Sequence, residues 1–209
     1  VLWFAGCNLR CPYCHNPELV SGPFPRAGPK ETAAFLEQRQ GLLEGVVLSG
    51  GECTISPNIL ELCSELQRLR FQVKIDTNGC NPTVVKGLIE GRLIDFIALD
   101  YKAPWSKFKE VAGRDRFKAY DETLALVIDS GIECEIRTTV HSRLLSEADV
   151  NTIIDDLESR GYRKRYYIQN IFENSPPKST LISLPNHAAI DRKLIKDSAS
   201  MEILYRNFN

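Results

Sequence analysis

No stretch of this chain is apolar for long enough to cross a bilayer as a helix. No charge of either sign dominates: 26 Lys and Arg stand against 27 Asp and Glu, a formal net charge of −1. Such a balance supplies no global field for nucleic acid or a membrane surface. The one basic run, Arg160, Arg163, Lys164 and Arg165, reads as a solvated face. There is no signal-peptide pattern, no low-complexity tract and no linker that divides the chain. The opening "VLWFAGC" lacks an initiator Met and starts in a strand-like run, so further residues are expected upstream. A disulfide framework is also missing. The seven cysteines are an odd set with one tight triplet, which suits a reducing compartment, here the cytoplasm.

What is present is an alternation of short apolar runs and helical patterns. Strands are expected at 1–5, 45–49, 71–76, 94–100, 132–140 and 165–170. Helices are expected at 30–40, from Pro57 with Ser56 as cap, from Pro82 to Gly91, at 117–130, and from Ser146 to about Arg160 with Asp149 completing a capping box. Six strand–helix units imply parallel pairing, either doubly wound or an incomplete barrel. Residues 173–209 read as a C-terminal tail packed on a domain of residues 1–172.

The polar motifs fall where the strands end. Strand one runs into "GCNLRCPYCHNP", strand two into Ser49-Gly50-Gly51-Glu52, and strand three into Asp76-Thr77-Asn78-Gly79. Strand four runs into Asp100-Tyr101-Lys102; strand five carries Arg137 and ends at His141; strand six ends in Gln169-Asn170. In parallel α/β folds the carboxyl ends share one face, and sites are built there. The plainer reading is that Asp, Asn and Gly are common turn residues. It explains single motifs better than it explains the set. Asn81-Pro82 already starts a helix, which leaves Asp76 without a turn role, and Lys102 is not needed for a turn.

Cys7, Cys11 and Cys14 have C-x3-C-x2-C spacing. A dithiol redox site would place its second cysteine in a helix and has no use for Cys7; here Pro17, Gly22, Pro23 and Pro25 suggest a loop. Covalent haem also leaves Cys7 unused. Structural zinc wants four ligands, and His15, adjacent to Cys14, is a strained fourth. Three thiolates suit three corners of a [4Fe–4S] cluster best, with one iron open to a ligand. The dithiol, haem and zinc readings remain its alternatives.

The triplet with an aromatic before its last cysteine, followed by "GGE" after the second strand, resembles the radical S-adenosylmethionine (SAM) enzymes. "GCNLRCPYCHNPELV", "DTNG" and "DYKAP" resemble more narrowly the glycyl-radical-enzyme activating enzymes. Among these the activating protein of anaerobic ribonucleoside-triphosphate reductase is most similar, and the pyruvate formate-lyase activator is similar too. The resemblance implies an incomplete (β/α)6 barrel, with Cys7, Cys11 and Cys14 on the cluster and SAM on the open iron. It places Tyr13 against the adenine, Gly50, Gly51 and Glu52 at the methionyl amine, and Lys102 at the carboxylate. Arg137 would support SAM, Asn78 of the third-strand motif would be a cofactor contact, and Gln169 matches the adenine end more weakly. Asp76, Thr77 and Asp100 match residues that hold a monovalent cation. The implied chemistry is reductive SAM cleavage with an electron from flavodoxin or ferredoxin, then hydrogen abstraction from a glycine of a partner enzyme. It requires no protein acid or base, and none is named. Cys53 stands where the family often has Pro, and Cys53, Cys63, Cys80 and Cys134 read as core. The alternative is a radical SAM enzyme acting on a small molecule, similar to 7-carboxy-7-deazaguanine synthase.

Overall fold

The computed structural model describes residues 1–21, 24, 27–171 and 190–208. Seven parallel strands form one open sheet in sequential order: β1 (Leu2–Phe4), β2 (Gly45–Gly50), β3 (Gln72–Thr77), β4 (Phe96–Asp100), β5 (Glu133–Val140), β6 (Arg165–Asn170) and β7 (Glu202–Arg206). Sequential order with crossovers of one hand winds the chain in a single direction and puts the helices on one face. This decides for the partial barrel over the doubly wound sheet. The helices are α1 (Pro17–Ser21), α2 (Pro29–Glu37), α3 (Ile59–Arg68), α4 (Pro82–Glu90), α5 (Trp105–Ala112), α6 (Phe117–Ser130) and α7 (Glu147–Ser159).

The two faces of the sheet separate by the period of two. Val46, Leu48, Val73, Ile75, Ile97, Leu99, Ile136, Tyr166 and Ile168 point toward the helices and are buried. Their alternates face the concave side and are strongly polar: Ser49, Lys74, Asp76, Asp100, Glu135, Arg137, Gln169 and Arg206. Apolar burial on one side thus fixes the register that gathers charge on the other.

Several boundaries differ from the sequence reading. Ser56 does not cap α3. Glu52 instead caps a short 3-10 turn, Cys53–Ile55, that consumes Ser56 as its C-cap, and α3 begins at Ile59 after Asn58. After the cysteines Pro17 opens α1 rather than a loop, while Gly22, Pro23 and Pro25 lie outside the described residues. Helix α5 was not expected, since it starts after Pro104 with no side-chain cap. The expected tail supplies β7, whose residues pair with β6 from Arg165↔Glu202 to Gln169↔Arg206. Residues 173–189 and 209 of that tail lie outside the described residues. The Ser146–Asp149 capping box of α7 forms as expected.

Candidate functional site

The cysteine loop leaves β1 at the carboxyl end of the sheet. Gly50 and Gly51 let it pass close by. Gly50 sits at φ +126°, and a Cβ there would lie 2.4 Å from the Phe4 backbone; one on Gly51 would lie 2.1 Å from the Gly6 oxygen. The Gly51 and Glu52 N–H groups donate to Phe4 O (2.8 Å) and Gly6 O (2.9 Å). The bare backbone expected to meet a ligand is needed here first for packing within the chain.

Glu52 is buried and ties three segments together. Its Oε1 accepts from Thr54 N (3.1 Å), Thr54 Oγ1 (2.6 Å) and Thr77 Oγ1 (2.7 Å), and its Oε2 accepts from Asn78 N (2.7 Å). Burial pushes the Glu52 carboxyl up, against these hydrogen bonds. Asn78 in turn donates through Nδ2 to Asn8 Oδ1 (2.8 Å) and approaches Cys7 Sγ (3.7 Å). The third-strand motif therefore holds the cysteine loop in place, a role that the sequence did not assign to Asn78 or Asn8.

Cys7, Cys11 and Cys14 are partly exposed and free of disulfides. Burial pushes the Cys7 and Cys11 thiols up, neighbouring thiols add to this, and the Lys102 ammonium opposes it. Among the described residues no three His, Cys, Asp or Glu side chains gather closely enough to hold one ion. A four-iron cube takes its thiolates on separate corners, and the three thiols of this one short loop supply three of them. Tyr13 is buried beside the loop, and its hydroxyl has no partner among the described atoms. An orphaned hydroxyl and three thiols free of disulfides fit a bound cluster and a polar ligand.

Across the concave face, charges alternate from strand to strand. Asp100 accepts from Lys102 Nζ (3.0 Å) and Arg137 Nε (2.9 Å). Arg137 Nη1 also reaches Asp76 (3.5 Å) and Glu135 (3.7 Å). Lys74 lies 3.8 Å from Asp76 and 3.4 Å from Glu135, and Arg206 bonds Glu135 (3.1 Å) and Gln169 (3.2 Å). Burial pushes the Asp100 carboxyl up, but Arg137 and Lys102 outweigh it and hold it below the usual range. Asp100 likewise outweighs burial at Lys102 and raises its ammonium well above its ordinary value.

The face thus brings together Asp76, Asp100, Lys102, Arg137 and Gln169 as expected. Asp76 has partners in Lys74 and Arg137, so it is not without a structural role. A monovalent cation at Asp76, Thr77 and Asp100 would share their oxygens with neighbours from the chain. The Arg137 guanidinium already lies against both carboxylates, and the Thr77 hydroxyl donates to Glu52. Lys74, Glu135 and Arg206 were missed. The first two stand two residues before Asp76 and Arg137, so the strand period could have found them. Cys53, Cys63, Cys80 and Cys134 are buried in the core. In the basic run, Arg160 pairs with Asp121 and Asp156, and Lys164 with Glu133, while Arg163 and Arg165 are exposed.

An open parallel α/β sheet with a three-thiol loop at its carboxyl edge and a charged concave face defines a cofactor-binding partial barrel. Residues 1–157 match the Radical SAM superfamily, and the chain belongs to that superfamily. It is 32% identical over 159 residues to a putative glycyl-radical enzyme activating enzyme of Methanocaldococcus jannaschii, covering 73% of this chain and 65% of that one. It is 28% identical to the pyruvate formate-lyase-activating enzyme of Clostridium pasteurianum, over 90% of this chain and 74% of that one. It is also 31% identical to the 7-carboxy-7-deazaguanine synthase of Methanopyrus kandleri, over 48% of each. A solved structure, Streptococcus suis SuiB bound to precursor peptide SuiA, superposes with a TM-score of 0.66 at 20% identity, covering 81% of this chain and 38% of that one. That likeness concerns the fold. This chain spans 65% of the first relative's length.

Proposed function

We propose that the chain is a radical SAM activase that generates a glycyl radical on a partner enzyme. The observation that carries this reading is the three-thiol loop set against the Asp100–Lys102–Arg137 network at the carboxyl end of an open sheet. Cys7, Cys11 and Cys14 would hold a [4Fe–4S] cluster, which when bound supplies the electron that splits SAM into methionine and a 5′-deoxyadenosyl radical. Lys102 offers its ammonium to the SAM carboxylate, shared with Asp100. The backbone at Gly50 and Gly51 approaches the methionyl amine, with Glu52 holding that backbone still. Tyr13 bounds the adenine, its hydroxyl positioned for a polar group there. Arg137 and Gln169 orient SAM from β5 and β6 and fix the carboxylates around it. Asp76 positions Arg137. The electron donor on this reading is flavodoxin or ferredoxin.

A glycine of a partner protein must reach the SAM carbon, and the sheet that would admit it is open, edged by β1 and β7. The kinship with named activating enzymes supports this reading. The second reading, a small-molecule radical SAM enzyme, is supported by the kinship with a 7-carboxy-7-deazaguanine synthase. The deciding experiment incubates reduced, cluster-loaded protein with SAM and a glycyl-radical enzyme from the same genome under argon. A glycyl doublet by electron paramagnetic resonance, with one 5′-deoxyadenosine per radical, is expected. Multiple turnovers of a small metabolite with every such enzyme silent would establish the second reading instead.

A further inference from the structure

The cysteine loop rests on the turn between α5 and α6. Cys11 Sγ lies 3.9 Å from Ala112 O, and Arg10 N–H donates to the same oxygen at 2.9 Å. Behind the loop, Cys80 Sγ contacts Arg116 O at 4.0 Å. The turn meets the loop again at Gly113, where a Cβ would lie 2.1 Å from Arg10 O.

The turn is also where uncommitted positive charge collects. Arg10, Lys109, Arg114, Arg116 and Lys118 are all exposed. None of these five forms an ion pair among the described residues, whereas Lys102 and Arg137 in the site are held by carboxylates. Three exposed carboxylates, Glu110, Asp115 and Glu122, share the surface, so cations are in excess on a chain whose net charge is −1. A hollow of about 290 Å³ lined by Asp115, Arg116, Lys118, Ala119 and Glu122 opens in it.

We infer that the α5–α6 turn is the docking surface for a small acidic one-electron carrier protein. The inference rests on the activase reading, which requires an electron at the thiol loop. Electron tunnelling falls steeply with distance, so a donor must dock where the loop comes nearest the surface. The concave face is taken by SAM and the target, which leaves the side behind Cys11. An excess of unpaired cations there steers an acidic partner and holds it weakly, as turnover of a carrier needs. One electron leaves the docked carrier, which is oxidised by one unit, and the site gains it; no bond forms or breaks.

Flavodoxin serves as the probe, with three cluster-loaded proteins: wild type, the double variant Lys109→Glu/Arg114→Glu, and Arg163→Glu/Arg165→Glu as control. The control makes the same charge change at the opposite, amino-terminal end of β6. Flavodoxin affinity is measured by calorimetry at low and high salt, and SAM cleavage is driven either by flavodoxin hydroquinone or by dithionite. The Lys109/Arg114 variant should bind flavodoxin about tenfold or more weaker at low salt, and should show a similar loss of flavodoxin-driven cleavage. The gap should close at high salt. Dithionite-driven cleavage and the control variant should match wild type. Unchanged flavodoxin binding, or an equal loss in the control, overturns the assignment. Wild-type protein that makes no 5′-deoxyadenosine with dithionite would defeat the activase reading, while the binding data would still decide the surface.

Discussion

The Asn78 amide donates a 2.7 Å hydrogen bond to Glu52 Oε2 and so joins the loop after β2 to the end of β3. Through Asn78 Nδ2 the tie continues to Asn8, inside the cysteine loop. A residue read from sequence as a ligand contact is in the fold a staple between three strand ends. Glu52→Ala leaves the backbone N–H groups of Thr54 and Asn78 buried without acceptors. At about 1–3 kcal/mol for each orphaned group, the variant should lose roughly 2–6 kcal/mol of unfolding free energy in urea. A loss within experimental error would show that water replaces the carboxylate at no cost.

Cys11→Ala should abolish the brown chromophore and reduce iron well below the four expected per chain on the cluster reading. Zinc at one equivalent, with no acid-labile sulfide in anaerobically prepared wild type, would point to the mononuclear alternative.

Lys102 is the cation beside Asp100 that also faces Cys11 and Tyr13. A charge-assisted hydrogen bond contributes about 1.5–3 kcal/mol, which corresponds to roughly 10- to 150-fold in affinity. Lys102→Ala should weaken SAM binding to loaded protein by that factor and leave iron content normal. Equal SAM affinity in the variant would remove Lys102 from the binding residues.

The Asp100–Lys102 pair also sets a pH window for stability. Asp100 is held low, so its contribution is present above about pH 3.9 and is lost as pH falls through its lower folded value. Lys102 is held high, so its contribution is present below about pH 10.4 and is lost as pH rises through its higher folded value. The stability gap between wild type and Asp100→Asn should therefore stay level from about pH 5 to 9 and shrink below about pH 3.9. A gap that widened on acidification would contradict the paired assignment.

Much of this site was legible before any coordinates, because a parallel sheet brings its strand ends together and the motifs sit at those ends. What escaped notice depends on three-dimensional neighbours. Ser56 looked like a cap, but Glu52, four residues before it, captured the local N–H groups first. Helix α5 hid behind Pro104, where no side chain marks its start. Strand β7 is short and follows a segment without regular pattern, so Arg206 could not be placed beside Glu135. Lys74 and Glu135 were visible in principle through alternation along β3 and β5.

The central claim is that the three-thiol loop and the charged face together cleave SAM. It is tested most directly by counting 5′-deoxyadenosine and methionine after anaerobic reconstitution, reduction with dithionite and addition of SAM. The account predicts equimolar products from wild type and none from Cys7→Ala, Cys11→Ala or Cys14→Ala. Intact SAM in the presence of fully loaded wild-type protein, or equal product from a cysteine variant, would contradict it.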